Sequence, residues 1–298
     1  LKAGKFDVCM PLVRRLVATQ FPQWADLPIR PVENDGWDNW TFHLGDRMKV
    51  RLPSAMGYSE QAEKEAMWLP RLAPKLPLPV PVPVGIGRPA EDYPCAWSIY
   101  DWLEGEPVTR EGLDDPVQLG WDLAKFLTAL QAIDPIGGPP PGQHNYFRGA
   151  DVMAVYGDEA RRSVDKIAET IDAPAAHEVL DAAAAAAITA PPVWIHGDIA
   201  VGNLLLRGGR LGAVIDFGGC AVGDPACDLV ITWVFLEAAG RESFRLSMGG
   251  DAGTWARARG WALWKAALLL ANGQVVNPNE NSPRAVIEAV IGDHYSVR

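Results

Sequence analysis

Between residues 193 and 229 two aspartates and an asparagine are threaded through a stretch that can fold in few ways. It opens with Trp194-Ile195-His196-Gly197-Asp198, reaches Asn203 five residues later, and passes to Asp216-Phe217-Gly218. Residues 204–206 and 211–215 have strand composition, and Gly208-Gly209 between them is a tight-turn signal. The predicted hairpin folds back, so Asn203 and Asp216 converge at its base although 13 residues separate them. Asp198 stands just ahead of it, 18 residues before Asp216.

This set suits phosphoryl transfer. That reaction needs a carboxylate beside the attacking hydroxyl and oxygen ligands for Mg²⁺ on the polyphosphate. Asp198 fits the first role; Asn203 and Asp216 fit the second. The D-x-x-x-x-N spacing followed by D-F-G is that of a kinase catalytic loop and metal-binding motif. Turn capping explains one of these aspartates easily, but both together with Asn203 poorly.

His-Gly-Asp-x-x-x-x-Asn, Ile-Asp-Phe-Gly and Gly-Asp-Pro-Ala-x-Asp-Leu together resemble the aminoglycoside phosphotransferase family, within the protein-kinase-like fold. The resemblance implies an α+β bilobal fold. Residues 1–103 would form a nucleotide-binding N-lobe, an antiparallel sheet with one main helix. Residues 104–298 would form a mostly helical C-lobe with the catalytic loop and the acceptor site. Tyr100, Asp101, Trp102 and Leu103 would be the nucleotide-binding hinge. Arg51 matches the position where the family usually has lysine, and Glu65 matches the partner glutamate of the next helix. Lys49 shares a strand face with Arg51, since side chains alternate with period two, and remains a second candidate clamp. Residues 34–39 fall where a phosphate-covering loop belongs. His196 and Asp228 would hold the catalytic loop, and Asp224 would cap the following helix.

Position 197 is glycine, where a protein kinase has arginine. Seven residues separate Asp216 from Asp224, too few for a long peptide-docking segment. The resemblance therefore implies transfer from ATP or GTP to a small hydroxylated acceptor, an aminoglycoside antibiotic first. Choline-like alcohols, sugars, amino-acid alcohols and other antibiotics are alternatives. Two other readings stay open: an inactive nucleotide-binding pseudokinase, suggested by Arg51, and a metallohydrolase built on His196, Asp198, Asp216 and Asp224.

Charge adds a modest argument. Residues 1–103 hold 12 basic and 12 acidic side chains; residues 104–298 hold 15 and 25, which is the whole net charge of -10. This argues against nucleic acid and anionic membrane as partners and suits a cationic acceptor. Glu104, Glu106, Glu237 and Asp251 are candidates for focusing that charge. The stretch 1–20 is amphipathic rather than a signal peptide, and the four cysteines lack C-x-x-C spacing. Both features lead to the expectation of a reducing cytoplasm.

For the rest, the pattern predicts a helix over 6–20, a meander over 29–52, and a helix from about 60 that Pro70 ends or kinks. Proline-rich residues 74–83 read as an edge strand or linker. A strand is expected over 97–103, and helices over 116–133, 151–187, 225–239 and 254–271. Gly85-Ile86-Gly87 mimics a dinucleotide fingerprint, but Pro89 forbids the helix such a site requires.

Overall fold

The computed structural model describes residues 5–33, 38–90 and 92–296. The chain divides into two compact units, Leu1–Glu104 and Gly105–Arg298.

The first unit begins with α1 (Met10–Gln20), whose Leu12, Val13, Leu16 and Val17 are buried. It starts later than the periodicity suggests because Phe6 N–H donates to Ser54 O, which ties that segment to the end of the central strand of the sheet, and Pro11 suits a first helical turn. Five antiparallel strands follow: β1 (Ile29–Pro31), β2 (Asn39–Leu44), β3 (Met48–Pro53), β4 (Pro83–Gly87) and β5 (Trp97–Asp101), in the order β1-β2-β3-β5-β4. Gly45, at φ +62°, closes the β2–β3 turn in the left-handed conformation that glycine adopts without steric cost. Phe42, Leu44, Val50, Leu52, Trp97 and Ile99 form the core beneath α1.

The helix α2 (Ser59–Leu72) passes through Pro70 instead of ending there. Buried Trp68, Leu69 and Leu72 hold its last turn against the lost N–H. Residues 76–82 are non-regular, and the strand begins at Pro83, on the sheet edge where proline is tolerated. Gly85 and Gly87 lie within that edge strand, and a Cβ at Gly87 would lie 1.9 Å from Trp97 Cε2. The strand β5 ends at Asp101, two residues short of the expected end.

The second unit contains a three-stranded sheet of β6 (Glu106–Pro107), β8 (Leu204–Arg207) and β9 (Arg210–Val214), and the pair β7 (Val193–Ile195) with β10 (Ala221–Gly223). Its helices are α3 (Pro116–Gln131), α4 (Val152–Lys166), α5 (Ala173–Ala185), α6 (Ile231–Val234), α7 (Ala238–Met248), α8 (Ala252–Ala271) and α9 (Pro283–Ser296). The single helix expected over 151–187 is two helices. Asp151 caps the first by accepting from Met153 and Ala154 N–H, and Asp172 restarts the second by accepting from Ala175 N–H. Residues 225–230 form 3₁₀ turns rather than an α-helix. The centre is α8, buried on most of its surface by α4, α5 and α9. Among the described residues no helix is long and apolar enough to cross a membrane, and Cys9, Cys95, Cys220 and Cys227 carry free thiols.

Candidate active site

In the second unit the 193–229 segment folds around a buried carboxylate. Asp228 is fully buried and accepts from the N–H of His196 (Oδ2, 2.7 Å) and of Gly197 (Oδ1, 2.7 Å). Burial raises its proton affinity, opposed by His196 and the two N–H groups. His196 is buried as well. Its Nδ1 accepts from Asp198 N–H at 3.2 Å, so Nε2 carries the proton donated to Ile215 O at 3.0 Å. Both ring nitrogens are engaged, and Phe217 meets the ring edge-on at 4.6 Å.

Gly197 is required here. Its φ is +83°, and a Cβ would lie 2.3 Å from Gly219 O. The resulting turn presents Asp198 to solvent. Asn203 ends a 3₁₀ turn and donates from Nδ2 to Asp198 Oδ2 and to Asp198 O, both at 2.9 Å. Ile215 N–H donates to Asn203 O at 2.9 Å, and β8 pairs Leu204 with Val214 of β9. Asn203 and Asp216 are therefore brought to one end of the hairpin. Asp216 itself is left-handed (φ 66°), a conformation costing a non-glycine residue roughly 1–2 kcal/mol.

The donor set of Asn203 and Asp216 suits Mg²⁺. One carboxylate and one amide oxygen are hard ligands, and Mg²⁺ characteristically takes its remaining ligands from water and phosphate. Asn203 spends its Nδ2 on Asp198, which leaves the amide oxygen for a cation. A hydrolytic metal centre finds less support. Asp224 does not cap the helix; it forms a buried bidentate pair with Arg257, at 2.8 Å to Nε and 2.9 Å to Nη2. Among the described residues no group of three or more His, Cys, Asp and Glu side chains could hold a metal ion.

Beside Asp198 the second unit holds a cavity of about 170 Å³, open to solvent. Ile199, Val230, Val234 and Leu269 supply apolar wall, and Arg148, Lys265 and Glu280 supply charge. Sequence reasoning missed these last three, which come from a loop, α8 and the segment before α9. Burial and the nearby Asp198 push the Glu280 carboxyl above its ordinary range. Arg110 anchors the Glu280 segment. It donates to Asn279 O and Asn281 Oδ1, both at 2.9 Å, to Phe235 O at 3.2 Å, and from Nε to Glu237 at 3.1 Å.

In the first unit Arg51 and Lys49 lie half-buried on one face of β3. Arg51 Nη1 is 3.5 Å from Glu65 Oε1 of α2, whereas Lys49 Nζ stands 5.9 Å from the ring centres of Tyr100 and Trp102. Glu65 is buried, and the Tyr100 hydroxyl donates to its Oε2. Tyr100, expected in the hinge, is the fourth residue of β5, and its buried hydroxyl bonds Glu65. Burial and Glu65 hold its phenol far above the usual range. Asp101 is exposed; Trp102 N–H donates to Arg47 O, and Leu103 is half-buried beyond the strand. Of the loop expected at 34–39, residues 34–37 lie outside the described residues; Asp38 accepts from Gln61 Nε2, and Asn39 opens β2.

Residues 29–261 match the phosphotransferase enzyme family. Among solved structures, the GDP complex of an aminoglycoside 2'-phosphotransferase-IIIa mutant is similar, with TM-score 0.66 and 18% identity over 97% of this chain and 96% of that one. A streptomycin–ATP complex of APH(2")-IIa gives 0.61 and 17%, covering 98% and 97%. The macrolide 2'-phosphotransferase MphH from Brachybacterium faecium gives 0.55 and 23%, covering 95% and 96%. These likenesses establish the protein-kinase-like fold. No curated protein matches.

Proposed function

The chain belongs to the phosphotransferase enzyme family, and on that premise we propose that it transfers the γ-phosphoryl group of ATP or GTP to a hydroxyl of a small molecule. The observation that carries this reading is Asp198 held by Asn203 at the edge of the cavity. With Oδ2 taken by Asn203 Nδ2, Oδ1 is left to receive the acceptor's proton. The acceptor oxygen then bonds to the γ-phosphorus while the bond to the β,γ-bridging oxygen breaks. Asn203 and Asp216 would hold Mg²⁺, which offsets charge on the polyphosphate. Arg51, fixed by Glu65, would bind the phosphates from the first unit. The nucleotide complexes among the solved neighbours support the co-substrate.

The acceptor is a hydroxylated small molecule with a largely apolar body. An aminoglycoside, favoured by resemblance, finds little support in the cavity. Arg148 and Lys265 stand in its lining against Asp198 and Glu280, and none of Glu104, Glu106, Glu237 and Asp251 lines it. Glu237 pairs with Arg110, and Asp251 caps α8 through Thr254 N–H. The apolar wall supports an acceptor of another composition.

The test is a screen of nucleotide consumption against alcohols of graded charge and polarity, with the phosphate ester identified by mass. Asp216→Ala is the control. Ester formation that needs Mg²⁺ and Asp216 supports the reading. Nucleotide binding without ester from any alcohol would leave the pseudokinase in its place.

A further inference from the structure

The lining of the cavity beside Asp198 holds two cations and two carboxylates, Asp198 and Glu280. Arg148 and Lys265 both line it. Neither forms a salt bridge with a carboxylate among the described residues; their close partners are aromatic. The Arg148 guanidinium lies 5.2 Å from the Trp261 ring centre and 5.5 Å from that of Trp264. Lys265 Nζ is 6.0 Å from the same Trp264 ring. Aromatic faces attract a cation but leave its hydrogen-bond donors unspent.

Arg148 is placed with care. Its loop contains two consecutive non-glycine residues in the left-handed region, Tyr146 and Phe147, each at φ 54°. Asn145 holds the loop, accepting from Gly142 N–H and donating to Arg148 O at 2.9 Å and Gly219 O at 3.2 Å. Tyr156 donates to Tyr146 O and stacks on Trp264 at 4.0 Å. Backbone strain of this kind persists only where surrounding contacts over-determine it, and it gathers at binding sites.

The two cations act on one another. Lys265 is held below its ordinary proton affinity, first by burial and next by repulsion from Arg148. Asp198, Glu280 and Glu159 act in the opposite direction without reversing the result. Glu159 already accepts from Trp264 Nε1 at 2.7 Å. An anion beside the two cations would relieve the repulsion, whereas an ammonium would add to it.

We propose that the acceptor carries, besides its hydroxyl, one carboxylate that is bound by Arg148 and Lys265 while its apolar body lies along Val230, Val234 and Leu269. The substrate class is thus a hydroxylated, largely apolar carboxylic acid. This rests on the reading of the cavity as the acceptor site.

The test uses three matched probes on the full chain: ω-hydroxydecanoate, its methyl ester and ω-aminodecanol. They share a primary alcohol and a hydrocarbon chain and differ in charge at the far end. Calorimetric titration at low salt should show the acid binding roughly tenfold more tightly than the ester or the amine, as expected for charge-assisted hydrogen bonds from half-buried Arg148 and exposed Lys265. Lys265→Met and Arg148→Met should each reduce that preference, and the double variant should bring the acid to the level of the ester. Lys265→Arg should keep it. Thermal melts establish that each variant is folded.

A wild-type chain that binds the amine or ester as tightly as the acid, or does not bind the acid, overturns the proposal. So does a preference unchanged in the folded double variant. Phosphoryl transfer to the amine or ester ahead of the acid also overturns it but leaves the phosphotransferase reading intact. Acid-selective binding lost in the variants, with no transfer to any alcohol, overturns the phosphotransferase reading and leaves the anion site standing.

Discussion

Asn203 reaches Asp198 twice, donating from one amide nitrogen to the carboxylate Oδ2 and to the backbone oxygen of the same residue, both at 2.9 Å. The carboxylate and its own backbone are thereby fixed by a single side chain, and the backbone of that residue is fixed in turn by Ile215 N–H, which donates to Asn203 O. The proposed base is oriented before any substrate arrives, and its second oxygen points away from this contact. Preorganisation of this sort keeps the proton acceptor within reach of a bound hydroxyl.

Asp198→Asn should therefore keep nucleotide affinity and lose turnover. A positioned general base contributes roughly 10²–10⁴-fold. Single-turnover rates with saturating nucleotide would measure it. A change of less than about threefold where chemistry limits the rate would remove Asp198 from the base role.

The proposed clamp in the first unit predicts an order of damage. Arg51→Ala should raise the nucleotide KM and lower kcat more than Lys49→Ala, because Arg51 faces Glu65 directly. Tyr100→Phe takes one donor from buried Glu65 and should raise the nucleotide KM by about tenfold at most, the scale of a hydrogen bond to a charged group. Steady-state kinetics of the three variants give the ranking. If Lys49→Ala is the most damaging, Arg51 is not the clamp.

At Gly197 a methyl group has no room, and the backbone is in the left-handed region. Gly197→Ala should destabilise the fold by roughly 1–3 kcal/mol and displace Asp198. Urea unfolding reads the first effect and turnover the second. A fully active, equally stable Gly197→Ala would contradict the described geometry.

Arg257 and Asp224 form the most enclosed ion pair of the second unit among those described, with side-chain exposures of 3% and 1%. Arg257→Met leaves a buried carboxylate without its partner and should cost about 3–5 kcal/mol. Lysine cannot reproduce the bidentate fork, so Arg257→Lys should recover only part of the loss. Chemical denaturation of both variants provides the comparison; equal stability of wild type and Arg257→Met would refute the assignment.

The carboxyl of Asp228 supplies a pH test. Burial holds it above its ordinary 3.8, so the folded chain retains this proton after the unfolded chain has released it. Stability from the protonated form is complete below 3.8 and is lost as pH rises through the higher folded value. Asp228→Asn cannot ionise, and its single amide oxygen serves only one of the two N–H groups. The variant should be less stable than wild type, with a gap in Tm that narrows as pH rises through the acid range. A gap that widens would show that the folded chain lowers this pKa.

The hairpin, the loop before it and the convergence of Asn203 with Asp216 were legible because turn glycines and strand composition act locally. The family motif lies within one continuous stretch for the same reason. Other features depend on residues far apart in the chain. Tyr100 against Glu65 joins a strand to a helix 35 positions away, and Asp224 meets Arg257 across 33. A motif containing Asp224-Pro225 reads as a cap until the partner on α8 is seen. The break near 167–172 also escaped notice, since its alanine-rich flanks suit one long helix and only the Asp172 cap marks a restart. Arg148 and Lys265 carry no local signal, because their meaning comes from the cavity they share.

Arg110 grips the backbone oxygen of Asn279 and the side chain of Asn281, the residues on either side of Glu280. The segment is thus fastened at its neighbours, and Glu280 adds its own ties, from its N–H to Asn277 O and from its carboxyl to the Val201 backbone. A replacement at 280 changes what the cavity meets and gives up the Val201 contact, while Arg110 still holds the chain on either side. On the proposed reading of the cavity, position 280 is thus a place where its chemistry can vary while the backbone stays anchored by Arg110.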